Sequence, residues 1–156
     1  MGMKMPGWYD IKGLSDLSSR EDDEEGILKS RDYFHSLIDA EVAKGIPANR
    51  VVIGGFSQGG AMSVISGLTY NSQLGGIFGL SCYLLLRRKI KDMIPASNPN
   101  KETPIFLGHG DADQVVEYKY GKASADELVK LGYKVDFRTY ECVFWPRGIA
   151  RADMLC

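Results

Sequence analysis

The feature that most constrains the fold of this chain is a strand-forming run that leads directly into a glycine-rich serine motif. Val51, Val52 and Ile53 are β-branched, and such a run is typical of a buried strand. The sequence GGFSQGG follows at residues 54–60, and apolar residues then recur at helical spacing from Ala61 to Tyr70. The chain must therefore turn sharply from strand to helix at the serine, where glycines let the two backbones approach closely.

The motif itself points to a nucleophile. Residues 55–59 fit the pattern G-x-S-x-G, in which a strained turn presents a serine hydroxyl, here that of Ser57, at the carboxyl end of the sheet. The N-terminus of the next helix offers N–H groups and positive potential, so the backbone N–H of Gln58 is the candidate donor to an oxyanion. The alternative is a glycine-rich turn that contains a serine by chance. Dinucleotide-binding and phosphate-binding loops need other spacings, which this stretch lacks.

Strand and helix patterns alternate along the rest of the chain. This alternation predicts an α/β fold with a parallel sheet. Residues 83–94 are ambiguous, and the pattern stops after Tyr140, so we expect a partial α/β domain over residues 1–141 and a divergent tail over 142–156. The further predicted helices are 24–44 and 118–131, and the further predicted strands are 75–80, 105–107 and 134–140.

Composition excludes several classes of protein. Apolar residues make up 44% and charged residues 25% of the 156 residues, as in ordinary soluble proteins. The net charge of -1 gives no basic footprint for nucleic acid. The most apolar run, residues 74–86, is shorter than the roughly 20 residues of a transmembrane helix. Three widely spaced cysteines argue against a disulfide framework or a zinc site and favour a reducing compartment.

A serine nucleophile of this kind works with an acid and a base that follow it in the chain. Asp111 and Asp113 follow the predicted strand 105–107, although an Asx turn would also explain them. The only histidines of the sequence, His35 and His109, both precede Asp113. We interpret His35 as a packing or surface residue and His109 as a residue that orients its loop. The residues therefore offer a nucleophile and candidate acids but no recognisable base.

Six stretches of the sequence together carry a resemblance to known proteins. They are Met5–Ile11, Gly45–Arg50, Gly54–Ala61, Leu80–Leu84, Gly108–Asp113 and Phe137–Tyr140. They resemble the acyl-protein thioesterase/carboxylesterase group of the α/β-hydrolases, and the resemblance extends from Met5 to Tyr140. It implies an α/β-hydrolase fold, with a mostly parallel sheet and flanking helices, that is partial because the first strands and the closing helix have no counterpart.

The resemblance also implies an activity. It assigns the nucleophile to Ser57 and the acid to Asp113, leaving Asp111 as a turn former. The substrates would be fatty-acyl thioesters of S-acylated (palmitoylated) proteins, and carboxylic and lysophospholipid esters. Members of this group need no metal or cofactor, are cytoplasmic and in some cases nuclear, and hold the acyl chain in an apolar groove. Leu84 and Trp8 are candidates to line that groove, with core packing as the alternative for both.

Two departures from the group bear on activity. The loop of HGxGD type that supplies a second oxyanion donor has no counterpart, and neither does the catalytic histidine. We expect an N-terminally truncated chain whose tail arises from a reading-frame change or a retained intron. Impaired activity follows, and an inactive acyl-binding or regulatory fragment of the same fold is the alternative. Uncovered sheet edges predict poor solubility or self-association.

Overall fold

A computed structural model of the chain describes residues 7–11 and 22–141. The predicted divergent tail, 142–156, lies outside the described residues. Helices and strands alternate as the sequence predicts. The elements are α1 (Glu24–Ala43), β1 (Val52–Phe56), α2 (Gln58–Thr69), β2 (Gly76–Leu80), α3 (Ile90–Met93), β3 (Ile105–Gly110), α4 (Tyr118–Lys130) and β4 (Val135–Tyr140), with a 3-10 turn at Ala48–Arg50 before β1.

The four described strands form one parallel sheet in the order β1-β2-β3-β4. The predicted α/β class with a parallel sheet is confirmed. Each strand lies beside the one before it, so right-handed crossovers place the connecting helices on one face of the sheet. The residues that share one row across that face are Ile53, Ile77, Ile105 and Val135.

Side-chain contacts confirm that α2 and α4 cover the same face. A Cβ on Gly67 of α2 would lie 2.4 Å from Cδ1 of Ile77, so α2 packs directly on β2. The ring of Tyr118 in α4 lies 5.8 Å from that of Phe137 and 6.0 Å from that of His109. Ile77, Phe137 and His109 all point to this face, because alternate residues of a strand share a face.

The opposite face contradicts one prediction. β1 is predicted as a buried strand, but Val52 is 59% and Phe56 50% exposed. The reason is tertiary: the helices cover the other face, and among the described strands β1 lies at the end of the sheet. Phe78 and Tyr140 are exposed on the same side as Val52 and Phe56. We call these four residues the open face.

The boundaries of β1 and α2 also differ from prediction. β1 continues through Gly54 and Gly55 to Phe56, and α2 begins at Gln58 rather than at Ala61. Glycine is a poor strand former, but here packing requires it. A Cβ on Gly54 would lie 2.1 Å from Cε1 of Phe78. Tertiary contact therefore overrides the turn propensity of the glycines.

Only two of the glycines around the serine make the close approach of β1 and α2 possible. A Cβ on Gly55 would lie 2.6 Å from the carbonyl carbon of Gly59, and a Cβ on Gly60 would lie 2.7 Å from the carbonyl oxygen of Gly55. At Gly59 the nearest atom, Nε1 of Trp8, is 4.0 Å away. The expectation that both flanking glycines of the motif are needed is therefore wrong for Gly59.

His35 lies where α1 packs on α2, as a packing residue. Its Nε2 donates to the carbonyl oxygen of Ser66 at 2.9 Å, and its ring contacts that of Tyr70 at 5.2 Å. Burial lowers the pKa of His35 from its ordinary value of 6.5. On the same helix Ile38 is buried, whereas Leu37 is 48% exposed.

We expect Gly55→Ala to lower the free energy of unfolding by about 1–3 kcal/mol, the cost of overpacking, because its Cβ meets backbone that has no room to move. Gly59→Ala is the matched control and should be neutral or slightly stabilising, since alanine favours the helix and its Cβ would make only an ordinary van der Waals contact, with Trp8. Urea unfolding measures both variants. Equal destabilisation by the two changes would contradict the role given to Gly55.

We expect stability to fall on acidification in a manner that depends on His35. The pKa of His35 is lower in the folded chain than in the unfolded chain, so the unfolded chain binds more protons at mildly acidic pH. The stabilisation that the neutral His35 provides above pH 6.5 is therefore lost as the pH falls through the pKa of the folded chain. Urea midpoints at pH 7 and pH 5, for the wild type and for His35→Gln, measure this loss. The variant should show a weaker pH dependence, and an identical dependence would contradict the assignment.

Candidate active site

Ser57 occupies a strained turn between β1 and α2, as the motif predicts. Its φ is 51° and its ψ -121°, a conformation that residues with a side chain adopt only when their surroundings enforce it. The Ser57 N–H donates to the carbonyl oxygen of Leu80 at 2.8 Å, and its carbonyl oxygen accepts from the N–H of Ala61 at 3.0 Å. The hydroxyl makes no capping hydrogen bond to α2, so it is not consumed by the helix.

Gln58 is the first residue of α2, so its backbone N–H has no acceptor within the helix. That N–H lies directly after the serine at the positive end of the helix dipole, the position of the predicted oxyanion donor. Its side chain has a second set of contacts that no sequence pattern indicated. Oε1 accepts from the N–H of Trp8 and Nε2 donates to the carbonyl oxygen of Tyr9, each at 2.8 Å.

Asp113 lies in the loop that follows β3. Its Oδ1 accepts from the N–H groups of Val115 at 2.9 Å and Val116 at 3.0 Å, so the Asx turn considered from the sequence is present. These bonds orient a carboxylate that is only 8% exposed. Asp111, by contrast, is exposed, and its N–H donates to the carbonyl oxygen of Tyr140 at 2.9 Å.

The sheet brings Ser57 and Asp113 to the same edge. β1 and β3 are parallel and separated by β2 alone, and neighbouring strands are about 4.8 Å apart, so the strand ends are roughly 10 Å apart. An imidazole with a hydrogen bond of about 3 Å on each side fits such a separation. The arrangement can therefore hold a nucleophile and an acid with a base between them.

His109 is fixed on the helix-covered face of β3. Its Nε2 donates to the carbonyl oxygen of Val116 at 2.8 Å and lies 3.7 Å from Oδ2 of Asp113. α4 packs tightly over the ring, since a Cβ on Gly121 would lie 2.1 Å from Nδ1. The ring is 1% exposed, and its contacts orient the loop that carries Asp113, in agreement with the role expected for it.

The two predicted groove residues lie in different environments. Leu84 is 6% exposed and belongs to the core, where its N–H donates to Oγ of Ser124 at 2.8 Å. Trp8 is 41% exposed and packs against Phe34 of α1, with ring centroids 4.9 Å apart. A role in binding an acyl chain stays a prediction for both residues.

The thiol of Cys82, which lies shortly after β2, does not compete with Ser57 as a nucleophile. Burial raises the pKa of the Cys82 thiol to about 12, so it stays protonated and unreactive.

In residues 7–11 and 22–141 there is no cluster of three or more metal-ligating side chains of the His, Cys, Asp and Glu type. Over the same residues, every helix is too short or too polar to cross a membrane.

Comparison with known proteins gives consistent matches. The chain is 56% identical over 142 residues to an acyl-protein thioesterase 1 of Neurospora crassa, a match that covers 89% of this chain and 58% of the relative. Among solved structures, SOBER1 of Arabidopsis thaliana is 32% identical with a TM-score of 0.83, covering 91% of this chain and 67% of that one. Acyl-protein thioesterase 2 of Zea mays is 30% identical with a TM-score of 0.75, over 88% of this chain and 64% of that one.

The chain thus spans about three fifths of the length of the curated relatives it matches, 58% of the Neurospora protein and 61% of one from Emericella nidulans. Within that span the fold is that of the α/β-hydrolases, with the four-stranded parallel sheet and its flanking helices. Residues 1–144 match the family described as Phospholipase/Carboxylesterase. On this evidence of sequence and fold, the chain belongs to the phospholipase/carboxylesterase family.

Proposed function

We propose that this chain carries the nucleophile and the acid of a serine hydrolase that cleaves fatty-acyl thioesters of S-acylated proteins, and carboxylic or lysophospholipid esters. The observation that carries the proposal is Ser57, held at a φ of 51° immediately before the N-terminus of α2. Membership of the family and the acyl-protein thioesterases among the relatives support the substrate class.

The proposed chemistry proceeds through an acyl-enzyme. The Ser57 hydroxyl oxygen attacks the acyl carbonyl carbon while its proton passes to a base. The Gln58 N–H donates to the oxyanion of the tetrahedral intermediate. The intermediate expels the thiolate or alkoxide, which takes the proton from the base. Water then attacks the acyl-serine in the same manner and releases the fatty acid. These steps require no metal or cofactor.

Asp113 is the proposed acid of this site. An acid in that position orients the imidazole of the base and stabilises the imidazolium that forms. The two backbone N–H groups on Oδ1 support the role, because they prevent the carboxylate from rotating. Asp111 is exposed on the same loop, whereas Asp113 is buried at the edge of the sheet, which favours Asp113.

The 156 residues do not supply a histidine that could act as the base. No histidine follows Asp113 in the sequence, and His109 is fixed under α4 by Val116 and Gly121. Loss of one member of a triad lowers kcat by roughly 10⁴- to 10⁶-fold. We therefore propose that Ser57 of this polypeptide can react but that turnover is impaired. We also propose that it acts in the cytoplasm or the nucleus.

Free imidazole should substitute for the missing base. In the 156-residue chain we expect slow labelling of Ser57 by a fluorophosphonate, accelerated by millimolar imidazole and absent in Ser57→Ala. Asp113→Asn should reduce the acceleration, because the added imidazole loses its orienting partner. Asp111→Asn is the matched control and should leave the acceleration unchanged. Intact-mass spectrometry at fixed times measures all four proteins.

Two results would count against this assignment. Fast labelling or fast hydrolysis of p-nitrophenyl butyrate without imidazole, abolished by Ser57→Ala, would mean that another residue acts as the base. No labelling of Ser57 at any imidazole concentration would favour the alternative, an inactive acyl-binding or regulatory fragment of the same fold.

We also propose that the chain self-associates through the outer edge of β1. Val52 and Phe56 are exposed beside an edge that has no partner strand among the described residues, and such an edge pairs readily with another chain. Sedimentation velocity should show an oligomer that Val52→Lys dissociates. Val129→Lys, at an equally exposed valine of α4, is the control. A monomeric wild type would contradict the proposal.

A further inference from the structure

We propose that the side chain of Gln58 is a positioning residue that binds residues 7–11, here called the strap, to the first turn of α2. The amide makes two hydrogen bonds to successive backbone groups, accepting from the N–H of Trp8 and donating to the carbonyl oxygen of Tyr9, each at 2.8 Å. A side-chain amide carries a neutral donor and a separate neutral acceptor on one terminal group. The pairing therefore depends on the amide and not merely on its volume.

The strap lies against α2 with little free space. A Cβ on Gly7 would lie 3.0 Å from Oε1 of Gln58, so the backbone at this position approaches the amide as closely as a glycine permits. Nε1 of Trp8 lies 4.0 Å from a Cβ built on Gly59, the residue after Gln58. Trp8 is thereby held beside the residue that comes two positions after the nucleophile.

Other contacts attach the strap to the elements around the site. The Ser30 hydroxyl of α1 donates to the carbonyl oxygen of Trp8. The strap thus connects α1, α2 and the loop after β2, and Gln58 supplies its side-chain link to the helix that follows the nucleophile. Among the described residues, two further contacts of the strap are the hydrogen bond from the Asp10 N–H to Oδ2 of Asp23 at 2.9 Å and the hydrogen bond between the hydroxyls of Tyr9 and Tyr83 at 3.0 Å.

The consequence for catalysis rests on the proposed function. Gln58 would donate to the oxyanion through its backbone and bind the strap through its side chain, so the strap would hold the donor in its direction. A single residue would then connect the oxyanion donor to Trp8, a candidate wall of the acyl site. An ionised glutamate at position 58 would break the link between α2 and the strap. It would place a carboxylate oxygen 2.8 Å from the carbonyl oxygen of Tyr9, where Nε2 of Gln58 now donates a hydrogen bond.

The test uses Trp8 as a fluorescent reporter of the strap. Trp8 and Trp145 are the two tryptophans of the chain, so Trp145→Phe is introduced into every protein compared. The variants are Gln58→Glu, which regains a donor when protonated, and Gln58→Met, which has neither a strong donor nor a strong acceptor. Gln73→Glu, at an exposed glutamine after α2, is the matched control. Acrylamide quenching of Trp8 is measured at pH 8 and pH 4.5.

At pH 8 we expect the quenching constant to rise about twofold in Gln58→Glu and Gln58→Met, because local release of the strap exposes a Trp8 that is now 41% exposed. At pH 4.5, near the pKa of a glutamate of about 4.3, Gln58→Glu should return toward the wild-type value, whereas Gln58→Met should not. Gln73→Glu should match the wild type at both pH values. The wild type, measured at both pH values, is the reference for any effect of pH on the carboxylates at the strap, Asp10 and Asp23.

Unchanged quenching in Gln58→Met at pH 8 would overturn the proposal, and so would a failure of acid to distinguish Gln58→Glu from Gln58→Met. Circular dichroism confirms that each variant is folded under the conditions used. The readout needs no hydrolysis, so it separates this inference from the proposed function. An unlabelled Ser57 beside the expected quenching pattern would overturn the catalytic assignment and leave the strap in place.

Discussion

The site depends on the close crossing of β1 and α2. Ser57 can keep its strained φ only because Leu80 binds its N–H, Ala61 binds its carbonyl oxygen, and Gly55 and Gly60 let the two backbones meet. Strain of this kind costs about 1–3 kcal/mol and persists where the surroundings enforce it. The surroundings here are strong, since every residue of α2 from 60 to 69 is buried.

The handedness of the crossovers decides the rest of the arrangement. Four parallel strands in sequential order place their connecting helices on one face and their carboxyl ends at one edge. Ser57 and Asp113, the proposed nucleophile and acid, follow β1 and β3 and therefore lie at that edge, with β2 between them. The same topology leaves the open face of Val52, Phe56, Phe78 and Tyr140 without a covering helix in the described part of the chain.

The sequence predicted the structure correctly where interactions between residues close together in the chain determine it. β-branched runs and helical periodicity predicted the correct order and type of the main elements, and the serine motif predicted the strained turn at Ser57. The predictions failed where distant residues decide. Gly54 and Gly55 belong to the strand because Phe78 covers one of them and α2 crosses the other, and β1 is exposed because of its place in the sheet. Gly59 shows that a matching motif letter does not guarantee a packing role.

The sequence by itself determined the α/β class, the turn at Ser57 and the candidate acids that follow β3, because these depend on neighbouring residues and on strand order. Only the tertiary structure decided which glycines are required for close packing, which side of β1 is exposed to solvent, and which hydrogen bonds orient His109 and Asp113. It also revealed the amide of Gln58 bound to Trp8, 50 positions away in the chain. A pattern of a few residues carries no information about such a contact, because folding brings its two partners together.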